Sequence, residues 1–353
     1  MNLAVVEKIA KAVLYEGYML YPYRPSSVKN QQRWNFGVLC PQSYSEAQKG
    51  TEAWTMQTEC LVEGPLARVE GRVRFLQLVA RSIGELTSPM SELPQDGVPE
   101  FRLVERLAIG GRVYQPWQEA VEREVILPAR EVRELVQTPL SETFAFSATK
   151  EFEYLRDGEG PIGGVIIRDQ NALAGVVEVN CEGVGDDVFK VAVIIRNTTP
   201  FTVTAETVRD EALLRSLVSA HTILGVEDGL FISLLAPPER LKEAAANCRN
   251  VGTWPALVGD EGHRDTVLSS PIILYDYPQI APESAGDLFD GTEIDEILSL
   301  RIMTLTDDEK LEMSQSDERA RQILERTETM PMEQLMKLHG VLRGLRPLKE
   351  EAQ

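Results

Sequence analysis

The stretch Phe189–Arg196, with the sequence FKVAVIIR, decides the fold class of this 353-residue chain. Its odd-numbered positions hold Phe, Val, Val and Ile, while its even-numbered positions hold Lys, Ala, Ile and Arg. Successive side chains of an extended strand point to opposite faces of a sheet. This period of two therefore predicts a β-strand with one face against a hydrophobic core.

Strand-like runs also precede this stretch, and Gly, Asp and Pro lie in the breaks between them. Short strands at such spacing, separated by turn residues, predict an antiparallel sandwich or barrel. The predicted strands before FKVAVIIR are Trp34–Cys40, Trp54–Val62, Arg68–Leu78, Arg112–Trp117, Val121–Leu127, Phe144–Phe146, Gly164–Ile167 and Val176–Cys181, with a loop at Thr87–Pro99.

The pattern changes after Pro200, where helical periodicity becomes more frequent. Thr306 and Glu309 have the spacing of a capping box, and Thr292 with Asp295 is a weaker version of it. The predicted helices are Leu3–Tyr15, Thr207–Leu224, Pro238–Asn247, Met332–Leu345 and those that start at Thr292 and Thr306. The predicted strands of this region are Leu230–Leu235 and Ile272–Tyr275.

These elements predict an α+β fold. A β-rich, antiparallel, sandwich-like N-terminal part is followed by an α+β part with an acidic helical C-terminus. The predicted divisions are residues 1–29, a helix with an aromatic arm, residues 30–205, the sandwich-like domain, and residues 206–353, the α+β part.

The charge of the chain limits its partners. A formal net charge of −19 argues against binding to nucleic acid or to an anionic membrane, because both need a basic surface. Residues 276–330 hold 15 Asp and Glu against 5 Lys and Arg. A basic protein partner, a hard cation or a solvated helical face would each suit such a segment.

The N-terminal sequence lacks the residue order of a secretory signal, and no run approaches the ~20 apolar residues of a transmembrane helix. The chain is therefore predicted to be cytoplasmic, without membrane insertion. Its four cysteines are far apart, which fits reduced and mostly buried thiols better than disulfides. Because its three histidines are scattered too, no metal site and no cofactor are predicted.

One loop has residues suited to catalysis. His263 lies in residues 259–265, GDEGHRD, beside Asp260, Glu261 and Asp265. A histidine among carboxylates can serve as a general base or bind a divalent metal, and folding could add His221. A solvated polar turn is the alternative, since Gly and Asp are typical turn residues. His221 itself is predicted near the end of a helix, where the helix dipole favours its charged form.

Two other segments predict a binding surface. The arm Tyr18–Ser26 combines Tyr and Arg, frequent interface anchors, with conformationally restricted Pro, although it could equally pack on its own domain. Residues 250–296 are irregular but too apolar and aromatic to stay disordered. The predicted binding residues are Tyr21, Tyr23, Arg24, Trp34, Trp254, Tyr275, Asp276, Tyr277, Asp287 and Asp290.

Two blocks of the sequence resemble a known group of proteins. The first is LYEGYMLYPYRPSSVKNQQRWNFG at residues 14–37, and the second runs from TWPALVG at 253–259 through SSPIILYDYPQIAPESAGDLFDGTEIDEILSLRIMTLTDDEK at 269–310. They are similar to conserved proteins of unassigned mechanism that are encoded beside oxygen-tolerant, high-affinity nickel–iron uptake hydrogenases in bacteria. The blocks contain no catalytic motif, and the chain lacks the twin-Cys or His-rich tracts of nickel-delivery chaperones.

The resemblance implies an accessory factor in nickel–iron hydrogenase assembly or maturation. Such a factor would act mainly by protein–protein interaction with hydrogenase subunits or other maturation proteins. The alternative hypothesis is a metal-dependent hydrolase, or another enzyme, that uses His263 with Asp260, Asp265 and possibly His221. The two hypotheses differ in whether these side chains converge in one pocket.

Overall fold

A computed structural model describes residues 3–16, 36–92, 97–279, 302–316 and 318–331. Fifteen strands and seven α-helices lie in these ranges. The strands are β1 Thr55–Glu63, β2 Arg68–Met90, β3 Phe101–Val104, β4 Leu107–Ile109, β5 Arg112–Tyr114, β6 Trp117–Glu131, β7 Leu140–Phe146, β8 Thr149–Arg156, β9 Ile162–Gln170, β10 Leu173–Gly185, β11 Val188–Asn197, β12 Val218–Glu227, β13 Leu230–Ile232, β14 Trp254–Leu257 and β15 Thr266–Ser270. The helices are α1 Leu3–Glu16, α2 Gln42–Ala47, α3 Val132–Gln137, α4 Arg209–Leu213, α5 Lys242–Ala246, α6 Asp307–Ser316 and α7 Glu318–Thr329, and Glu239–Leu241 is a 3-10 turn.

Most of these strands form two antiparallel sheets. The smaller sheet has the order β13-β1-β11-β10-β7, and the larger one has the order β14-β15-β12-β2-β9-β8 with β3 and β6 also paired to β2. Strand β2, 23 residues long, is the spine of the larger sheet. Strands β6 and then β3 pair with one edge of β2, while β12 and then β9 pair with the other.

The main core lies between the two sheets, and it confirms the predicted β-rich, sandwich-like α+β fold. The odd-numbered apolar residues of FKVAVIIR face this core, as the alternation predicts. They pack with Met56 and Cys60 of β1 and with Phe75 of β2, whose ring is fully buried and lies 5.6 Å from that of Phe144. Burial of such large apolar side chains is the dominant stabilising term of a sandwich.

Helices cover the outer face of the larger sheet. Val6, Ala10 and Val13 of α1 pack on Ile223 of β12 and Leu268 of β15, which confirms the predicted N-terminal helix and its apolar face. The acidic helix α6 and helix α7, which has equal numbers of Glu and Arg, pack on the same sheet further along β2. Met313, Ile323 and Leu324 lie in one buried cluster with Leu76 and Leu78.

The predicted capping box at the start of α6 is present. The backbone N–H of Thr306 donates to Glu309 Oε2 at 2.7 Å, and the Glu309 N–H donates back to Thr306 Oγ1 at 3.3 Å. Each bond satisfies a backbone donor that the first helical turn leaves free.

The predicted helix Thr207–Leu224 is wrong over most of its length. Only Arg209–Leu213 is helical, and the chain becomes strand β12 at Val218. Nine of the ten residues of β12 are buried, because one face lies in the main core and the other lies under α1. A strand covered on both faces has no alternation, so its sequence resembles a buried helix.

The predicted strand Ile272–Tyr275 is also wrong. Strand β15 ends at Ser270, before Pro271, and Ile273 and Tyr275 are 72% and 83% exposed. In β15 the hydroxyl of the buried Ser269 is hydrogen-bonded. Ser269 Oγ accepts from Thr58 Oγ1 at 2.7 Å and lies 2.8 Å from Thr253 Oγ1. Paired hydroxyls are tolerated in a core because their polar atoms are satisfied.

Smaller differences concern strand ends. Within the predicted strand Trp34–Cys40, the described residues form a turn at 36–37 and a single bridge between Leu39 and Leu217. Gly37 has a φ of +59°, and a Cβ there would lie 2.7 Å from the Pro271 side chain. The predicted loop Thr87–Pro99 begins too early, because β2 continues to Met90.

The predicted boundary between residues 205 and 206 does not coincide with a break in the sheets. β12 pairs with β2, and β13 pairs with β1, so strands from both sides of this position share each sheet.

Within the described ranges, no helix has the length and apolar character needed to cross a membrane.

Candidate functional site

The loop that holds His263 is a turn that faces solvent. The His263 N–H donates to the Asp260 carbonyl at 3.0 Å, and positive φ angles at Gly259 and Gly262 reverse the chain. His263 Nδ1 lies 3.9 Å from Asp260 Oδ2, with both side chains more than two-thirds exposed. An exposed ion pair at this distance contributes little to the stability of the fold.

Asp265 has a structural role at the start of β15. Its Oδ1 accepts from Thr266 Oγ1 at 3.1 Å, and its carbonyl accepts the Val226 N–H at 2.9 Å. These bonds fix the point at which β15 joins β12. The Asp265 carboxylate is therefore hydrogen-bonded to the first residue of β15.

His221 lies in β12, and the predicted position near a helix end is wrong. Its ring is fully buried under α1, and Nδ1 lies 3.0 Å from the Ser219 carbonyl oxygen. Because a carbonyl only accepts, Nδ1 carries the proton and Nε2 has a free lone pair. Burial, with a smaller contribution from the positive charge of nearby Arg74, lowers the pKa of His221 to about 4. His221 is therefore neutral near pH 7.

An ion-pair network lies beside His221. Arg74, directly opposite His221 on β2, binds Glu7 of α1 at 3.0 Å and Glu124 of β6 at 2.6 Å. The positive charge of the arginine beside the imidazole is therefore already compensated by two carboxylates. Within the described part of the chain, His221 Nε2 and the hydroxyls of Ser219 and Thr222 have no hydrogen-bond partner.

His221 and His263 do not converge. Gly225 pairs with Thr266, and His221 lies four residues away from Gly225 along β12. At about 3.3 Å per residue this separation is ~13 Å along the strand, with His221 in the interior and His263 in solvent. In the residues with assigned positions, no three His, Cys, Asp or Glu side chains come together as potential metal ligands.

All four cysteines are free thiols, and Cys40, Cys60 and Cys181 are buried. Burial raises the pKa of Cys181 to about 12 and that of Cys248 to about 11. The reactive thiolate form is therefore scarce near pH 7.

The predicted binding residues from 254 to 277 have two different roles. Asp276 fixes the segment: its Oδ2 accepts from Ser233 Oγ at 2.5 Å and its Oδ1 accepts the Leu257 N–H at 2.8 Å. The Tyr277 N–H donates to the Leu257 carbonyl at 2.7 Å, and its ring packs against the main core. Asp276 and Tyr277 therefore attach the segment to the free edge of β14.

Trp254 and Tyr275 present aromatic surface to solvent. Trp254 is 43% exposed on β14, and Tyr275 immediately precedes the anchored Asp276. Ser233, the partner of Asp276, also accepts the Leu235 N–H at 3.2 Å and the Ala236 N–H at 2.9 Å. The loop that carries the exposed Leu235 is thus joined to the loop that carries Tyr275.

Leu235, Trp254, Ile273 and Tyr275 are referred to below as the apolar loop surface. Large apolar side chains held on hydrogen-bonded loops lose little entropy when a partner covers them. Leu235 and Ile273 were not predicted to be binding residues, because their apolar character indicated strands. Tyr21, Tyr23, Arg24, Trp34, Asp287 and Asp290, as well as the helices predicted from Thr292 and over Met332–Leu345, lie outside the described residues.

No protein-family model matches the chain, and no curated protein matches it.

Proposed function

We propose that this protein is a cytoplasmic accessory factor in nickel–iron hydrogenase assembly or maturation, and that it acts by binding a hydrogenase subunit or another maturation protein. The hydrogenase assignment rests on the resemblance of the two sequence blocks. The exposure of Trp254 on β14 and of Tyr275 on the loop fixed by Asp276 supports action by contact. Tyr and Trp are among the residues that most often dominate binding energy at interfaces.

The alternative of a metal-dependent hydrolase has weaker support. It requires His263, Asp260 and Asp265 to act together, with His221 as a further candidate. The exposure of the His263 turn and the burial of His221 under α1 separate these groups. A general base within reach of a substrate in one water-excluding pocket is what such a mechanism needs.

Affinity purification of the tagged chain from its native host, followed by mass spectrometry, tests the proposal. Hydrogenase subunits or maturation proteins should co-purify with the wild-type chain and should be depleted for the double variant Trp254→Ala/Tyr275→Ala. The matched control is Leu103→Ala/Ile126→Ala, which removes similarly exposed apolar side chains from β3 and β6. If the wild type and both double variants recover the partner proteins equally, the apolar loop surface is excluded as the binding site.

The predicted binding residues outside the described ranges need their own variants. Tyr21→Ala/Tyr23→Ala/Arg24→Ala tests the aromatic arm. Asp287→Lys/Asp290→Lys/Asp295→Lys tests whether an acidic face docks on a basic surface, since charge reversal mainly slows association. Normal hydrogenase activity in cells, at normal protein levels, would remove the corresponding segment from the mechanism. Purification of a chain with a stoichiometric metal and no protein partner would favour the hydrolase alternative.

A further inference from the structure

Strand β7 forms one edge of the smaller sheet. Among the strands of the described residues it pairs with β10 alone, and Ala145 lies opposite Ala174 in this pairing. The Ala174 N–H donates to Thr199 Oγ1 and its carbonyl accepts from the Thr198 N–H, so both groups point away from β7. Ala145 and Ala174 are therefore a non-hydrogen-bonded pair, and the peptide groups of Ala145 point away from the sheet.

The same alternation applies along the strand. The N–H and C=O groups of Ser141, Thr143 and Ala145 all point to the open edge, and within the described residues they have no partner. The side chains of these three residues are exposed on the outer face of the sheet. β7 thus presents three residues with free backbone donors and acceptors and with small, uncharged side chains.

Two other sheet edges are closed by hydrogen bonds. Beside β1, the side-chain amide of Asn250 accepts from the Glu59 N–H at 2.8 Å and donates to the Glu59 carbonyl at 3.2 Å, as a paired strand would. Val251 then exchanges two backbone bonds with Gln57. On the larger sheet, Tyr277 occupies the edge of β14.

The long outer strands β6 and β8 have features that oppose pairing. Pro128 lies in β6, together with six charged residues, and four of the eight residues of β8 are charged. Proline and charge are common devices that keep an edge strand from pairing with another chain. Neither device occurs on the exposed side of β7.

We propose that β7 pairs with β7 of a second copy of this chain, in antiparallel register about Thr143. In this register Thr143 lies opposite Thr143, Ser141 opposite Ala145, and Leu140 opposite Phe146. The three N–H and three C=O groups that point outward from each β7 strand are then all hydrogen-bonded to the other copy, and both strands are paired over their full length. The two smaller sheets then form one continuous ten-stranded sheet.

The side chains of β7 favour a second copy as the occupant. The only charge of the strand, Glu142, lies opposite Phe144 in this register, so no two carboxylates face each other directly. Thr–Thr and Ser–Ala pairs fit closely on the outer face, and cross-strand hydroxyl pairs stabilise sheets. The net charge of −19 on each copy opposes association, so the dimer should strengthen as salt screens this repulsion.

Sedimentation equilibrium of the full chain and two charge variants tests the pairing. The wild-type chain should form a species of twice 39.4 kDa, with more dimer at higher salt. Thr143→Lys and Thr143→Glu each place like charges opposite one another and should raise the dimer Kd by at least about tenfold. An equimolar mixture of the two variants should restore the dimer, which separates loss of pairing from loss of folding. Thr149→Lys, an exposed threonine of β8, is the matched control and should leave the Kd unchanged.

Hydrogen exchange of the wild-type chain gives a second measurement that needs no variant. The backbone amides of Ser141, Thr143 and Ala145 should become protected as the protein concentration rises, while those of Glu142 and Phe144 are protected throughout by β10. A wild-type chain that stays monomeric overturns the proposal. A dimer that Thr143→Lys leaves intact, or concentration-independent exchange at Thr143, also overturns it.

Discussion

His221 and Ser219 form a hydrogen bond inside a bulge of β12: the Nδ1–H of the imidazole donates to the Ser219 carbonyl at 3.0 Å. Ser219 has a φ of +53°, and its N–H donates to the carbonyl of Phe36 instead of to β2. The bulge therefore turns the start of β12 toward the segment that follows residue 35. It also fixes the tautomer of a histidine that α1 seals from water.

Neutral, buried His221 should make the fold acid-sensitive. Its pKa is about 4 in the folded chain and about 6.5 when unfolded, so below pH 6.5 the unfolded state binds more protons. This contribution to stability is complete above pH 6.5 and is lost as the pH falls toward 4. Between pH 7 and pH 5, the free energy of unfolding should drop by about 2 kcal/mol more in the wild type than in His221→Gln.

Denaturant titrations at the two pH values measure this difference, and His263→Gln serves as the exposed control. The comparison removes the pH-dependent contributions that the three proteins share. A pH-independent gap between the wild type and His221→Gln would show that His221 is protonated without cost.

Asp276 should contribute stability although it lies in an irregular segment. Asp276→Ala leaves the Leu257 N–H and the Ser233 hydroxyl without their acceptor, which should cost about 2 kcal/mol. Asp260→Ala removes a carboxylate that is three-quarters exposed and should change stability by less than about 0.5 kcal/mol. Thermal unfolding of both variants provides the comparison, and equal melting temperatures would contradict the structural role of Asp276.

Asn250 should be required for the closed edge of β1. Asn250→Ala removes both amide bonds to Glu59 and should lower the free energy of unfolding by about 1–3 kcal/mol. Asn247→Ala, three residues earlier and exposed, is the control. Hydrogen exchange should show faster opening at the Glu59 amide in Asn250→Ala only. Unchanged exchange there would mean that water replaces the Asn250 amide without cost.

Tyr275 and Tyr277 should respond oppositely to truncation. Tyr275→Ala removes a ring that is mostly in solvent and should alter stability by less than about 0.5 kcal/mol. Tyr277→Ala removes a ring that packs on the main core and should cost about 2 kcal/mol or more. Urea unfolding distinguishes them, and a large loss in Tyr275→Ala would mean that its exposed ring stabilises the fold.

The local pattern of the sequence was sufficient for features that depend on neighbouring residues. Alternation in FKVAVIIR predicted which side chains of β11 face the core, because side-chain direction in a strand has a period of two. The capping box at Thr306 and Glu309 was predictable because both hydrogen bonds span only three residues. The N-terminal helix had an apolar face at helical spacing, which is also a local property.

Only the tertiary structure decided the features that depend on distant partners. β12 is a strand because β2, β15 and α1 enclose it, and burial on both faces removes the alternation that would have revealed it. For the same reason His221 became a neutral interior residue far from His263. Asp276 became an anchor because folding placed it beside Ser233 and Leu257, at separations of 43 and 19 residues. Burial and pairing are set by contacts between distant segments, so a local sequence pattern cannot encode them.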